Sequence, residues 1–228
     1  MLGTYTYNEI FRKSVIAFGT LFNNIEIRRN EYMKVPLAYG PKQKFLARLR
    51  QVGDLSSKDA TQITLPRISF EIASFQYDST RKVSPTQLVR TAVGSDMQKA
   101  FMPVPYNVDF ELAILAKNQD DGLQILEQIL PYFQPSFNIT VQLQDQLQEK
   151  KDFPVTLNAI TYEDDYEGDY NTRRTLIYSL SFTCKTYLYG PVTDGEDTLI
   201  RKAIVDMAPD SKPTAAREMR YTVEPDPI

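Results

Sequence analysis

The chain has 228 residues, 42% of them hydrophobic, with 26 Lys and Arg against 29 Asp and Glu and a formal charge of −3; this suffices for one substantial core and gives no global basic field to recruit nucleic acid. It contains no His and no Trp, which excludes Ser-His and Cys-His nucleophiles and His-containing zinc sites, and its one cysteine, Cys184, excludes an internal disulfide and suits assembly in a reducing cytoplasm. No run nears the ~20 apolar residues of a membrane helix and the first residues lack a signal-peptide layout, so a soluble, non-secreted protein without membrane contacts is expected.

In chain order, Asn8 is placed to cap a helix over residues 8–22. Phe11, Val15, Phe18 and Phe22 recur on one face there, widened by Ile10, Ala17 and Leu21. Ile25 to Arg28 alternates as a strand, and residues 33–39 form another after a polar turn, with Pro36 confining it to a sheet edge. Pro41 opens a short basic helix to residue 50 carrying Lys42, Lys44, Arg48 and Arg50. Residues 61–77 read as extended, with Ile68, Phe70 and Ile72 on one parity after a break at Pro66. Residues 78–105 hold no period and are expected to be a long irregular insertion that contacts a neighbour.

Alternation resumes over 106–116 through Val108, Phe110, Leu112 and Ile114. A helix then runs over 119–133 with Leu123, Leu126, Leu130 and Phe133 on its apolar side. Residues 137–143, 153–162 and 173–189 complete a strand-rich second half, the last two forming a long hairpin about an acidic turn, with Cys184 buried in the run Leu180, Phe182, Cys184. Residues 199–207 form one further element, and 208–228 a polar, proline-bearing C-terminal arm. The sum is an α+β fold, a mainly antiparallel sheet flanked by a few helices, with residues 1–207 as a single domain.

The acidic turn places five carboxylates, Glu163, Asp164, Asp165, Glu167 and Asp169, within seven residues. Their spacing starts a calcium-loop register, but the twelfth position is Arg174 where a bidentate Glu is required, and strands flank the loop. A solvated tip, or one that docks on a basic partner, is the reading adopted. The basic helix, with Lys42, Lys44 and Arg48, is read as a solvated face or a partner contact, and the doublets Arg28-Arg29 and Arg173-Arg174 as rim charges. No glycine-rich phosphate loop can be written on this chain, so no cofactor and no metal are expected. Two other classes stay open on the residues alone. One is a metal-dependent hydrolase using Glu163, Asp165 and Asp169, the other a peptide-binding module using the sheet edge at 33–39.

Several separated segments together resemble the tail sheath stabiliser, or tail completion, family of contractile-tailed bacteriophages. They are Phe11-Arg12 and Leu21-Phe22-Asn23-Asn24-Ile25; Val35-Pro36-Leu37-Ala38-Tyr39; Leu65-Pro66-Arg67-Ile68; the passage from Gln128 through Pro131-Tyr132-Phe133 to Asn138; Arg173-Arg174 leading to Ser179-Leu180-Ser181-Phe182; and Tyr189-Gly190-Pro191-Val192 before Leu199-Ile200-Arg201. The resemblance implies a non-enzymatic homohexameric ring at the head-proximal end of the tail. Its partners would be the tail sheath protein, the tail terminator or tube end, and the neck proteins below the portal, with DNA passing through the channel without sequence-specific binding.

Overall fold

The computed structural model describes residues 5–51, 64–93, 96–144, 149–165, 175–198, 203–207 and 219–223. In chain order these form α1 (Ile10–Phe22), β1 (Glu26–Arg28), β2 (Tyr32–Lys34), β3 (Leu37–Tyr39), α2 (Lys42–Gln51), β4 (Arg67–Tyr77), β5 (Leu88–Val93), β6 (Asp96–Phe101), β7 (Val104–Ala116), α3 (Gln119–Ile129), β8 (Ser136–Gln144), β9 (Glu149–Asp165), β10 (Thr175–Leu188), β11 (Val192–Thr198), β12 (Ala203–Met207) and β13 (Met219–Val223). The fold is α+β, as the alternation predicts. Among the described residues no helix is long and apolar enough to cross a membrane.

Six strands form the main sheet in the order β3-β4-β7-β10-β9-β8, antiparallel except where β3 runs parallel to β4. A parallel pair needs a crossover, and α2 supplies it. Bulges at Ile72/Ser74, Ser181/Phe182 and Gln142/Gln144 each insert an unpaired residue, which bends the strand and lets the sheet curl. The strand read over 33–39 is two strands: Pro36 carries no N–H, so the ladder breaks there, β2 pairs with β1 and β3 becomes the sheet edge.

The core lies between one face of this sheet and α1 with α3. Ile68 and Phe70 of β4, Phe110, Leu112 and Ile114 of β7, and Leu180, Phe182 and Cys184 of β10 meet Phe18 and Phe22 of α1 and Ile125, Leu126 and Ile129 of α3. Burial, with the nearby charge of Asp109, pushes the Cys184 thiol far above its ordinary range, so it stays a neutral apolar filler.

The helix faces depart from their expected positions. Asn8 does not cap α1: Glu9 occupies that place in the left-handed region at φ 54, and the Asn8 amide donates to the Tyr189 carbonyl at 3.1 Å. Phe11 is 38% exposed and packs edge-on against Phe75, ring centroids 4.7 Å apart, because α1 begins beyond the end of the covered core. On α3 the buried stripe is Asp121, Gly122, Ile125, Leu126 and Ile129, while Leu123 is 44% exposed. The α-helix ends at Ile129, and Pro131 lies in a short 3-10 turn, Leu130–Tyr132, that leads into β8.

Gly122 sets how closely α3 can approach β10. A Cβ there would drive into the buried ring of Tyr178, which is backed by Tyr162 at 5.0 Å. Alanine is the better helix former by about 1 kcal/mol, but overpacking costs about 1–3 kcal/mol. Gly122→Ala should therefore destabilise by up to about 2 kcal/mol in urea unfolding. A variant more stable than the parent would show that α3 stands off the sheet.

Residues 78–105 are not irregular. The Asp78 carboxylate accepts from the Thr80 hydroxyl at 2.6 Å and the Arg81 guanidinium at 2.7 Å, fixing a 3-10 turn over Ser79–Arg81. Those partners hold the Asp78 carboxyl well below its usual range. β5 and β6 then form an antiparallel hairpin, completed by β11 into a three-stranded sheet in the order β11-β6-β5. Its partner strand lies about ninety residues downstream, and Arg90 opposite Lys99 interrupts the apolar alternation, so no local period marked it. Within the stretch read as an arm, β13 pairs with β12 across the expected boundary at 207/208. Residues 208–218 and 224–228 lie outside the described residues.

Candidate interface site

The outer face of the main sheet is divided. At one end α2 covers it, packing Phe45 against Leu115 and Ile177. That is why β7 changes from alternation to a run buried on both faces from Leu112 to Ala116, and β10 from Thr175 to Leu180. Past α2 the same face is open. There Asp109 and Glu111 of β7, Glu71 of β4 and Ser181 and Thr183 of β10 take the alternate, outward positions.

The opening is a groove of about 550 Å³ with a floor of small side chains, including Ala73, Ala159 and Ser181. Asp109 anchors one end. One carboxylate oxygen accepts from Ser74 at 2.5 Å and Gln76 at 3.1 Å, the other from Thr183 at 2.7 Å, and Asn158 donates to the same Thr183 oxygen at 2.7 Å. At the other end Lys42, at the first turn of α2, reaches Glu111 at 3.1 Å, Glu163 at 3.8 Å and the Ser179 hydroxyl at 3.3 Å.

This junction reconciles two motifs singled out in the sequence. Lys42 and Glu163, 121 positions apart, meet over the sheet; Lys42 is largely buried and fixes α2 to β10 and β9 instead of standing free for a partner. Lys44 and Arg48 are exposed on α2. Glu163, Asp164 and Asp165 are the last residues of β9, paired with Ile177, Leu176 and Thr175. Glu167 and Asp169 lie outside the described residues, as do Arg173 and Arg174, and the Arg50 side chain is not described. Among the described residues no three acidic or cysteine side chains converge as a metal cage. Arg29, expected as a rim charge, instead clamps the buried Asp121 of α3 through Nε at 3.1 Å and Nη2 at 2.6 Å.

Sequence reasoning missed Glu71, Asp109 and Glu111, whose signal was an acidic residue between apolar ones within strands that otherwise read as core. Glu71 lies directly opposite Glu111 in the ladder, an unfavourable like-charge pair that Lys42 relieves in part. Burial first, and then the Glu111 charge, push the Glu71 carboxyl above its ordinary value, with Lys42 opposing. A carboxyl raised on folding stabilises when protonated. Its contribution is present below the ordinary Glu value and is lost as pH rises through the folded one. Glu71→Gln should accordingly melt slightly higher than the parent at pH 7, with the gain vanishing by about pH 4. A variant that melts lower at pH 7 would show that the ionised form is favourably held.

Among the described residues, four carboxylates, Glu71, Asp109, Glu111 and Glu163, thus share this face with the ammonium of Lys42, and Lys185 of β10 stands exposed on the same side two positions past Thr183. An open acidic sheet face beside a basic helix has the charge pattern of a contact surface. The chain belongs to the T4-like virus Myoviridae tail sheath stabiliser family, whose model matches residues 5–228. It is 32% identical over 213 residues to tail completion protein gp15 of Enterobacteria phage T4, a match covering 89% of this chain and 78% of that protein. It is therefore a structural component of a phage tail and not an enzyme, which sets the hydrolase reading of the acidic turn aside.

Proposed function

We propose that the protein forms a homohexameric ring at the head-proximal end of a contractile tail. The ring ends the sheath and tube, holds the last sheath ring in place during contraction, and offers a docking surface to the neck proteins below the portal. The observation that carries this reading is the match of residues 5–228 to the sheath stabiliser family, together with the T4 relative's designation as a tail completion protein. Two physical features support it. The acidic open groove and the exposed cations Lys44 and Arg48 of α2 are separate surfaces of opposite sign, suited to different partners. The net charge of −3 gives DNA passing through a channel no global attraction to overcome.

The test is addition of the purified protein to sheathed tails that lack it, followed by electron microscopy and native mass measurement. The expected result is sixfold density at one tail end, a bound mass near six times the 26.2 kDa subunit, and sheath that stays attached after contraction. Binding along the sheath wall, or tails whose sheath slips off unchanged, would overturn it.

A further inference from the structure

The main sheet ends in two edges that are built differently. β3 is three residues long and begins just past Pro36, so it offers little to pair with. β8 runs for nine residues, from Ser136 to Gln144, without a charge, a proline or a glycine. It pairs with β9 in unbroken register from Ser136 to Gln142, and among the described residues no strand lies on its other side. Alternate N–H and C=O groups of an antiparallel strand turn away from its one neighbour. Those of β8 form an open ladder roughly 24 Å long.

Natural proteins shorten, charge or interrupt their edge strands, because an open uncharged edge recruits another chain. Every other edge strand among the described residues is managed in that way. β3 is short, and β1, β2, β5, β11, β12 and β13 each carry a charged residue, such as Arg90 of β5 and Asp194 of β11. Only β8 is both long and undefended.

A pocket adjoins the same edge. Phe137, the second residue of β8, lines a largely apolar cavity of about 440 Å³ together with Phe22 of α1, Ile129 of α3, and Pro131 and Phe133 of the passage from α3 to β8. Phe137 packs on Phe133 with ring centroids 6.3 Å apart, and Tyr132, 66% exposed, stands at the mouth. The cavity has room for a bulky apolar side chain. Backbone pairing along an edge supplies affinity, and a side-chain pocket beside it supplies specificity.

We propose that β8 and this pocket form a strand-addition site. Its occupant is an extended segment of another protein of the tail, hydrogen-bonded along residues 136–142, with a bulky apolar side chain seated among Phe22, Phe133 and Phe137. A second copy of this chain does not fit, because its described edges are short or charged except β8 itself, and β8-to-β8 pairing is two-fold and stops at a dimer. That step rests on the ring reading above. The edge singled out in the sequence for a peptide, residues 33–39, offers only the three residues of β3.

The experiment follows hydrogen exchange at single amides of the full chain, free and bound to purified sheathed tails that lack it. Every second amide of residues 136–142 is expected to exchange fast in the free chain and to slow about tenfold or more on the tail. Tyr132→Ser should raise the concentration needed to occupy the tails about tenfold, while Tyr32→Ser, similarly exposed on β2, should leave it as in the parent. A tail-bound chain whose outward β8 amides stay fast overturns the site and leaves the ring reading standing, as does a Tyr132→Ser variant that binds like the parent. Protection that appears in the free chain only as its sedimenting mass doubles assigns the edge to a second copy, and protection in the free monomer shows that the chain covers its own edge; either result overturns the proposal. A chain that binds no tail overturns the tail-end reading and this site together.

Discussion

Phe18→Ala should lower the unfolding free energy by about 3–5 kcal/mol, the range for emptying a buried aromatic site that cannot collapse. Phe18 is fully buried, and its ring meets four others: Phe110 stacked at 4.4 Å, Phe22 at 5.0 Å, Phe182 at 5.3 Å and Phe70 at 5.4 Å. Those partners come from α1 and three strands of the main sheet, so the void cannot close by a shift of one element. Ile16→Ala on the same helix is the control: Ile16 is exposed, and its loss should cost less than about 0.5 kcal/mol. Urea unfolding measures both. Equal small effects would mean that α1 is not seated on the sheet.

Arg29→Met should cost about 2–3 kcal/mol. Asp121 is almost fully buried, and its only charged partner among the described residues is Arg29, which grips both carboxylate oxygens. Removing one member of a buried pair costs about 3–5 kcal/mol, and the lower figure follows because the Arg29 side chain is itself nearly half exposed to screening water. Asp121 keeps some compensation from its place in the first turn of α3, where the helix dipole favours a negative charge. The pair also ties the β1–β2 turn to α3, reinforced by Gln124 and Gln128, which donate to the Arg28 and Glu26 carbonyls at 3.2 Å and 2.7 Å. Adding Asp121→Asn to Arg29→Met should recover most of the loss, because the neutral amide no longer needs a cation. A double variant no better than the single one would mean that the cost is lost packing of the arginine stem.

The alternation in β7 and β10 was visible in the chain because a strand half covered by helices must repeat every two residues, and the α1 and α3 faces were visible at their Phe18, Phe22 and Leu126 positions for the corresponding helical reason. What the pattern could not show was where the cover ends. Phe11 and Leu123 carry the right period and lie in the open, because burial depends on the neighbour's length and not on the helix's own sequence. The β5–β6 hairpin was missed because its order comes from β11, a strand about ninety residues away. The candidate site was half legible: Lys42 and Glu163 were both singled out, each as a separate surface, and Glu71, Asp109 and Glu111 were hidden inside strands that otherwise read as core.

By itself, then, the sequence determined the α+β class, the absence of histidine chemistry, most strand and helix positions and, through motifs spread along the chain, the family it belongs to. Each of these is set by residue type and short-range spacing. Only the tertiary structure decided that Lys42 is spent inside the molecule, that Arg29 is a clamp and not a rim charge, that the outer sheet face is open and acidic, and that one hairpin shows an apolar face to water. Those are properties of pairs of residues 69 to 137 positions apart, or of surfaces left uncovered, and a free energy of contact or exposure has no local signature until the chain has closed on itself.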